Sequence, residues 1–296
     1  MKRSRFTRTI SVLALLLILG LPVFAISCGQ EEEASEKIGV TVSILPLADF
    51  VENVGGEKVN VSVMVPPGAS PHVYGPTPSR MAALAGARMY AKVGSGVEFE
   101  LVWMDKLVAI NAEMLVVDCS KGIAVQEMAG EHEHGGMDPH IWMSPLNVKI
   151  MVRNICDGLV QVDPGSRAFY EKNRDAYLRE LTRLDRDIRD GFSGVTNRRF
   201  MTYHPAFGYF AKEYNLTMLP IEVEGKEPRG KSIAHLIEQA KSHNIKVIFA
   251  SPQFNPQSVE VIAKAIGGRV VFIDSLARDY IMNVRLLLDE LVQAME

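Results

Sequence analysis

The chain has 296 residues, which is long enough for two domains of ordinary size. Apolar residues make up 47% and charged residues 23%, a globular composition with material for a large core. The formal net charge is −3, and beyond residue 27 there are 28 basic and 35 acidic residues. This acidic balance argues against nucleic acid as a partner, because phosphate binding requires clustered Lys and Arg.

Residues 1–27 have the pattern of a secretory signal peptide. A basic start is followed by a 17-residue apolar run over 10–26, which is short for a spanning helix and ends in small residues. Cys28 follows, where bacterial lipoproteins carry their lipidated cysteine; cleavage after Ala25, with Cys28 incidental, is the alternative. Residues 28–36 are acidic and polar and predict a flexible tether. We therefore expect an exported protein, anchored through lipid at the outer face of the cytoplasmic membrane.

From residue 38 onward, strand and helix patterns alternate. β-Branched apolar runs predict the strands, and amphipathic runs predict the helices. Strands are expected at residues 38–44, 59–65, 89–93, 114–117, 200–203, 217–221, 246–250 and 269–273. Helices are expected at 45–54, 79–85, 98–110, 145–162, 166–189, 206–214, 233–243, 257–266 and 280–294. Such alternation predicts parallel sheets that are covered by helices on both faces.

The helix that begins at residue 166 divides the pattern into two halves. At 1.5 Å per residue it would be about 36 Å long, enough to run along both halves as a strut. We therefore predict an N-terminal α/β lobe over 37–165, a linking helix within 166–192 and a C-terminal α/β lobe over 193–296.

Cys119 and Cys156 are the thiols that remain after Cys28. In an exported protein they could form a disulfide. Two buried free thiols are the alternative, because the sequence does not place them within bonding distance.

The segment 126–137 interrupts the alternation with glycines, acidic residues, His132 and His134. Its composition leaves two interpretations open. The two histidines either belong to a solvated mobile loop or collect metal weakly before its transfer to a tighter site.

Four other residues each follow a predicted strand. His72 follows the second strand, His204 the fifth and Asp274 the eighth, and His140 follows the fourth after the His-rich segment. Their separations of 68, 64 and 70 residues are unlike the local spacing of a zinc finger. Ligands of open α/β sheets bind beyond the carboxyl ends of the strands, so two residues from each lobe would face one cleft.

Three imidazoles and one carboxylate form a four-coordinate set that suits Zn²⁺ at about 2.0–2.2 Å per bond. Asp274 has an alternative interpretation, because an Asp at this point could instead cap the turn that follows it.

The stretches around these residues carry a resemblance to a known family. They read SPHVY (70–74), DPHIW (138–142), HPAFGYF (204–210) and IDSL (273–276). In this order they resemble the metal-binding lipoproteins of bacterial and archaeal ABC importers for zinc and manganese, the ZnuA/TroA-like family. The similarity runs from about residue 37 to the C-terminus.

This resemblance implies two α/β lobes joined by a rigid helix, with one metal ion held in the interlobe cleft by His72, His140, His204 and Asp274. The chain departs from the family at two positions. Ser70 stands where Asp is common and Ser275 where Pro is common. Neither change removes a ligand, though Ser70 could weaken the support of His72.

Three classes of function are compatible with these residues. The expected one is a monomeric extracytoplasmic receptor, not an enzyme, that captures a divalent ion, with zinc favoured, and delivers it to an ABC importer permease. A manganese receptor is the first alternative, since many manganese receptors that resemble this chain carry a carboxylate in place of His204. A zinc hydrolase is disfavoured because four ligands leave no position for water and no His-Glu-x-x-His helix is present. A surface adhesion role, suggested for some relatives, stays open.

Overall fold

The structure is a computed structural model that describes residues 37–128, 136–222, 227–228, 230–254 and 257–295. The predicted signal peptide, the tether with Cys28, and His132 and His134 lie outside the described residues. Within the described ranges, no helix is both long enough and apolar enough to cross a membrane.

The first sheet has four parallel strands in the order β2-β1-β3-β4. They are β1 (Ile38–Val42), β2 (Val59–Val63), β3 (Met89–Lys92) and β4 (Leu115–Asp118). The accompanying helices are α1 (Leu45–Gly55), α2 (Pro78–Ala83), α3 (Glu98–Ile110) and α4 (Pro145–Val162). In register, Val40 lies opposite Val61 on one side and Met89 on the other. Strands buried between helices in this way are rich in branched apolar residues, as the sequence pattern predicted.

Local sequence determines where these helices begin. Pro145 occupies the first turn of α4, where its missing N–H costs no hydrogen bond, and the Ser144 side chain accepts from the Asn147 backbone N–H. Thr77 caps α2 in the same manner by accepting from the Arg80 backbone N–H. Helix α1 ends at Gly55, and the residue after it, Gly56, has a φ of 53° and a ψ of −134°, a combination readily available only to glycine.

The second sheet repeats the topology of the first, with order β6-β5-β7-β8 and parallel pairing throughout. Its strands are β5 (Arg199–Thr202), β6 (Thr217–Pro220), β7 (Val247–Ala250) and β8 (Arg269–Phe272). Its helices are α6 (Gly208–Glu213), α7 (Gly230–Ser242), α8 (Gln257–Ala265) and α9 (Tyr280–Met295).

Helix α5 (Arg167–Gly191) links the two halves. Its 25 residues extend over about 37 Å at 1.5 Å per residue. It packs against α1 and α4 of the first half and against α9 of the second. The stripe that it buries has helical spacing and consists of Tyr170, Tyr177, Leu181, Leu184 and Ile188.

One hydrophobic core includes residues from both halves. Its members include Val40 of β1, Leu181 of α5, Phe210 of α6 and Leu287 of α9. A second, smaller core lies in the C-terminal half and includes Ile248 and Ile262. The prediction of two parallel-sheet α/β lobes joined by a long helix is thus confirmed, and the shared core makes the two lobes one packed body.

Most predicted element boundaries lie within two residues of those observed. The largest difference concerns α7, which begins at Gly230 rather than 233, and α6 begins at Gly208 rather than 206. The late start of α6 has a local cause. Thr202 Oγ1 and the Ala206 N–H both donate to the carbonyl of His204, so the chain turns before it enters the helix. Cys119 and Cys156 are buried free thiols. The structure therefore shows the second of the two possibilities for this pair and no disulfide between them.

Candidate metal centre

Three of the four predicted ligands meet at the carboxyl ends of the strands. The Nε2 atoms of His72 and His204 are 3.2 Å apart, and those of His204 and His140 are 3.1 Å apart. In the described part of the chain, these three residues form the one group of potential metal ligands whose atoms all lie within 4.8 Å of one another. A tetrahedral Zn²⁺ with bonds of about 2.0–2.1 Å requires nitrogen separations of about 3.3 Å, close to those observed.

Each histidine is presented by a tight local turn. His72 lies in the loop after β2, where the Ser70 carbonyl accepts from the Val73 and Tyr74 N–H groups and Ser70 Oγ accepts from the His72 N–H. Ser70 thus supplies the hydrogen bond to the His72 backbone, although it stands where the resemblance leads one to expect Asp. His140 comes directly before a 3₁₀ turn, Ile141–Met143, that leads into α4.

A carboxylate lies against the Nδ1 atom of every one of the three rings. His72 Nδ1 is 2.8 Å from Glu98 Oε2, His140 Nδ1 is 2.8 Å from Asp138 Oδ1, and His204 Nδ1 is 3.2 Å from Glu222 Oε2. A carboxylate at Nδ1 fixes the ring so that Nε2 carries the free lone pair, and it raises the basicity of that nitrogen. The Nε2 lone pairs of all three imidazoles are therefore directed at the same point.

Asp138 is the most enclosed of the three carboxylates. Its side chain is 0% exposed, and Oδ1 also accepts from the His140 backbone N–H at 2.9 Å. Oδ2 accepts from Gln126 Nε2 at 3.3 Å. Gly208 of the opposite lobe packs directly on this carboxylate, since a Cβ added there would lie 2.4 Å from Oδ2. A side chain at 208 would push away the group that orients His140.

Sequence reasoning missed these carboxylates as functional residues. Asp138 precedes His140 by two positions and was noted only as part of a motif. Glu98 begins α3 and Glu222 follows β6, so the rule that sites lie beyond strand ends could have suggested them. Nothing in the sequence pairs each one with its particular histidine, because the pairing depends on how the loops fold together.

Burial changes the proton affinity of the site. It lowers the pKa of His204 to about 4, and the lowering prevails although the hydrogen bond to Glu222 acts in the opposite direction. His204 is therefore a neutral imidazole, the form that binds metal, at neutral and mildly acidic pH. Burial pushes the pKa of Glu98 upward, but its contact with His72 outweighs this effect, and the pKa of Glu98 is lowered overall.

Both lobes contribute to the walls of the cavity at the three Nε2 atoms. Its volume is about 10 Å³, room for about one water-sized guest. Phe254 stacks on the His204 ring with centroids 4.8 Å apart, and Trp142 lies edge-on to His140 at 5.3 Å. The Trp142 indole N–H crosses between the lobes to donate to the Ser275 carbonyl at 2.8 Å. Aromatic rings therefore limit both water access and ring rotation at the site.

Asp274 follows β8 as predicted, but it does not join the three imidazoles. Its Oδ1 accepts from Gln253 Nε2 at 2.6 Å and from the Leu276 backbone N–H at 2.8 Å. The bond to Leu276 is the turn cap that was the alternative interpretation of this residue. Its role as the fourth ligand stays a prediction.

The fold and the cluster define a class: a two-lobed α/β protein with a three-histidine site between its lobes, in which two of the histidines are buried. Residues 40–294 match the family model described as "Zinc-uptake complex component A periplasmic" (ZnuA), and the chain belongs to this family.

Named relatives are similar over most of their length. The high-affinity zinc uptake system protein ZnuA of Bacillus subtilis is 31% identical over 261 residues, which cover 84% of this chain and 81% of that protein. The manganese ABC transporter substrate-binding lipoprotein scaA of Streptococcus gordonii is 29% identical over 290 residues, covering 94% and 92%. The crystal structure of a 138-173 deletion mutant of ZnuA with zinc bound has a TM-score of 0.83 at 40% identity, and the match covers 88% of this chain and 99% of that chain.

Proposed function

We propose that this protein is the extracytoplasmic receptor of an ABC importer, which captures one divalent metal ion between its lobes and delivers it to the membrane permease. The observation that carries the proposal is the convergence of three Nε2 atoms at 3.1–3.2 Å, each ring backed by its own carboxylate. Membership of the zinc-uptake family supports the same role.

Zinc is the ion that the donor set favours. Neutral imidazole nitrogen is a good ligand for Zn²⁺, whereas Mn²⁺ prefers carboxylate, carbonyl and water oxygens in a larger shell. Zn²⁺ also lies above Mn²⁺ in intrinsic affinity, so a site that does nothing to oppose zinc will hold it. A manganese receptor is the second candidate, and the similarity to the manganese lipoprotein of Streptococcus gordonii is the observation that favours it.

We propose His72, His140, His204 and Asp274 as the complete ligand set. Asp274 would approach the ion through Oδ2, since Oδ1 already accepts two hydrogen bonds. The shell would then contain three nitrogens and one oxygen, a composition and geometry typical of tightly bound zinc.

The same arrangement argues against a zinc hydrolase. Such an enzyme keeps one position for water and a nearby general base to accept its proton. Here Glu98, Asp138 and Glu222 all lie against imidazole Nδ1 atoms, on the far side of each ring from Nε2. The carboxylates that contact the rings therefore orient ligands rather than activate water.

Further proposals concern parts of the chain outside the described residues and the organisation of the whole. We propose that Cys28 is acylated after removal of residues 1–27 and that 28–36 tether a monomer to the membrane. His132 and His134 would form a weak accessory site. The lobes would be residues 37–165 and 193–296, joined by the helix within 166–192. Mass spectrometry of the mature N-terminus tests the anchor, because an unmodified Cys28 would contradict it.

Metal analysis of the purified soluble chain, residues 37–296, tests the receptor function. After dialysis against equal concentrations of Zn²⁺ and Mn²⁺, we expect one zinc per chain and little manganese. A variant with alanine at 72, 140 and 204 should retain neither ion. Bound metal in that variant at the wild-type stoichiometry would contradict the proposed site.

A further inference from the structure

Gln253 is a wall residue of the metal cavity that neither motif nor composition singled out. It lies in the loop after β7, next to Phe254, whose ring stacks on His204. Its Nε2 donates to Asp274 Oδ1 at 2.6 Å, a short charge-assisted hydrogen bond. Gln253 therefore contacts the cavity of the three imidazoles and the predicted fourth ligand at the same time.

The orientation of the Gln253 amide follows from this bond. Only the NH₂ group can donate to a carboxylate, so Oε1 must point elsewhere. That oxygen is buried and has no hydrogen-bond donor among the described residues. A buried amide oxygen without a donor is unfavourable, because it has lost its hydrogen bonds to water and gained none from the protein. If Gln253 served only to stabilise the fold, we would expect both its NH₂ group and its Oε1 to have hydrogen-bond partners. A role at the metal site therefore explains this residue better than packing does.

The two oxygens of Asp274 are in different situations. Oδ1 accepts from Gln253 Nε2 and from the Leu276 N–H, which use both of its lone-pair directions. No described residue donates to Oδ2. The Leu276 donor is held in place, because the neighbouring Ser275 carbonyl accepts from Trp142 of the other lobe and Leu276 is itself buried.

We propose that Gln253 is a specificity-determining residue of the metal site: by occupying Oδ1, it limits Asp274 to a single oxygen and keeps the metal shell at four ligands. This inference rests on the proposed metal-receptor function. A four-coordinate shell suits Zn²⁺, while Mn²⁺ gains from a carboxylate that binds through both oxygens and raises the coordination number. The hydrogen bond thus disfavours manganese without adding any repulsive group.

Two substitutions separate this role from simple packing. Gln253→Leu keeps much of the volume and removes the donor, and Gln253→Met keeps the length of the side chain and also removes the donor without adding an oxygen. Gln161→Leu, at an exposed position of α4, is the matched control. Thermal melting of each metal-free variant establishes that it is folded, and the methionine variant serves if the leucine variant does not fold.

The measurements are a Zn²⁺/Mn²⁺ competition titration and X-ray absorption at the zinc edge. We expect the wild type and Gln161→Leu to have three nitrogens and one oxygen around zinc. In a Gln253 variant, we expect a second oxygen neighbour and a zinc preference reduced about tenfold, which corresponds to about 1.4 kcal/mol. An unchanged preference with four neighbours would overturn the inference. An equal loss of affinity for both ions would also overturn it, since Gln253 would then support the site without selecting.

The outcome is separable from that of the proposed function. A wild type that binds no zinc defeats the receptor proposal itself. A wild type that binds zinc, together with Gln253 variants that match it in preference and coordination number, defeats this inference alone.

Discussion

The imidazole side and the carboxylate side of the candidate site are organised differently. On the imidazole side, His72, His140 and His204 already point their Nε2 atoms at one another, each held by a carboxylate. On the carboxylate side, Asp274 is engaged by Gln253 and its own turn. In the proposed ligand set, three ligands are thus preorganised and the fourth must adjust. Preorganised ligands lower the ordering cost of binding, whereas the adjustable ligand is where selectivity can be regulated.

The carboxylate side is nevertheless tied to the opposite lobe. The Trp142 indole N–H donates a hydrogen bond to the Ser275 carbonyl, and Arg278 forms an ion pair with Glu52 of α1. The loop that carries Asp274 is therefore held by residues of the N-terminal half. With the shared hydrophobic core, this favours small local movements of Asp274 over a wide opening of the lobes.

The largest expected effect comes from removing a preorganised ligand. His140→Ala should weaken zinc binding more than about 100-fold, since even residues that only support a ligand typically contribute 10–100-fold. Zinc at about a thousandfold excess over its dissociation constant should stabilise the wild type by about 4 kcal/mol. Calorimetry and thermal melting measure both quantities. His235→Ala, on the exposed face of α7, is the control, and wild-type-like binding by His140→Ala would refute the site.

A smaller effect is expected from the orienting carboxylates. Asp138→Asn removes the charge that holds the His140 Nδ1 proton and should weaken zinc binding by about 10–100-fold. Glu98→Gln should cost less, because the Glu98 side chain is 47% exposed overall and its charge is partly screened by solvent, whereas that of Asp138 is 0% exposed. Chelator competition gives the two constants, with the exposed Asp105→Asn as control. A greater loss of zinc affinity for Glu98→Gln than for Asp138→Asn would contradict the importance of burial.

The low pKa of His204 predicts a pH dependence of the metal-free fold. Its folded value of about 4 lies below the ordinary 6.5, so protonation favours the unfolded chain. The contribution to stability is intact above about pH 6.5 and is lost as pH falls toward 4, by at most about 3 kcal/mol. Denaturant titrations at several pH values should show a shallower loss for His204→Gln. If the free energy of unfolding falls equally with pH in the two proteins, the loss of stability does not come from His204.

The smallest effect is expected from the His-rich segment. Deleting residues 131–135 should change the tight zinc constant by less than about twofold and remove any weak second site. The residues at the base of this segment should matter more for zinc binding. The Gln126 side chain donates to Asp138 Oδ2, and the Asp138 backbone N–H donates to the Gln126 carbonyl. Gln126→Ala should therefore weaken binding more than the deletion does. Zinc titration of both variants tests this order. A large loss of zinc affinity on deletion would mean that the segment supplies a ligand.

Sequence patterns predicted the fold well because burial and propensity are local. All eight strands and the linking helix were placed within about two residues, and three histidines were located because each follows a strand. The pairing of His204 with Glu222, or of Asp274 with Gln253, could not be predicted. These contacts depend on how separate loops approach in space, and neither Glu222 nor Gln253 carries a distinguishing local pattern. The same limit applies to Asp274, which the sequence predicted as a ligand with the turn cap as the alternative.

The most direct test of the central claim, that preorganised imidazoles make this a zinc site, is a Zn²⁺/Mn²⁺ competition titration of the wild type and His204→Glu. Glutamate adds a carboxylate that can bind through two oxygens, which favours Mn²⁺. We expect the wild type to retain zinc in the presence of excess manganese and the variant to show a narrower preference. A wild type that prefers manganese, or a variant whose preference is unchanged, would contradict the account.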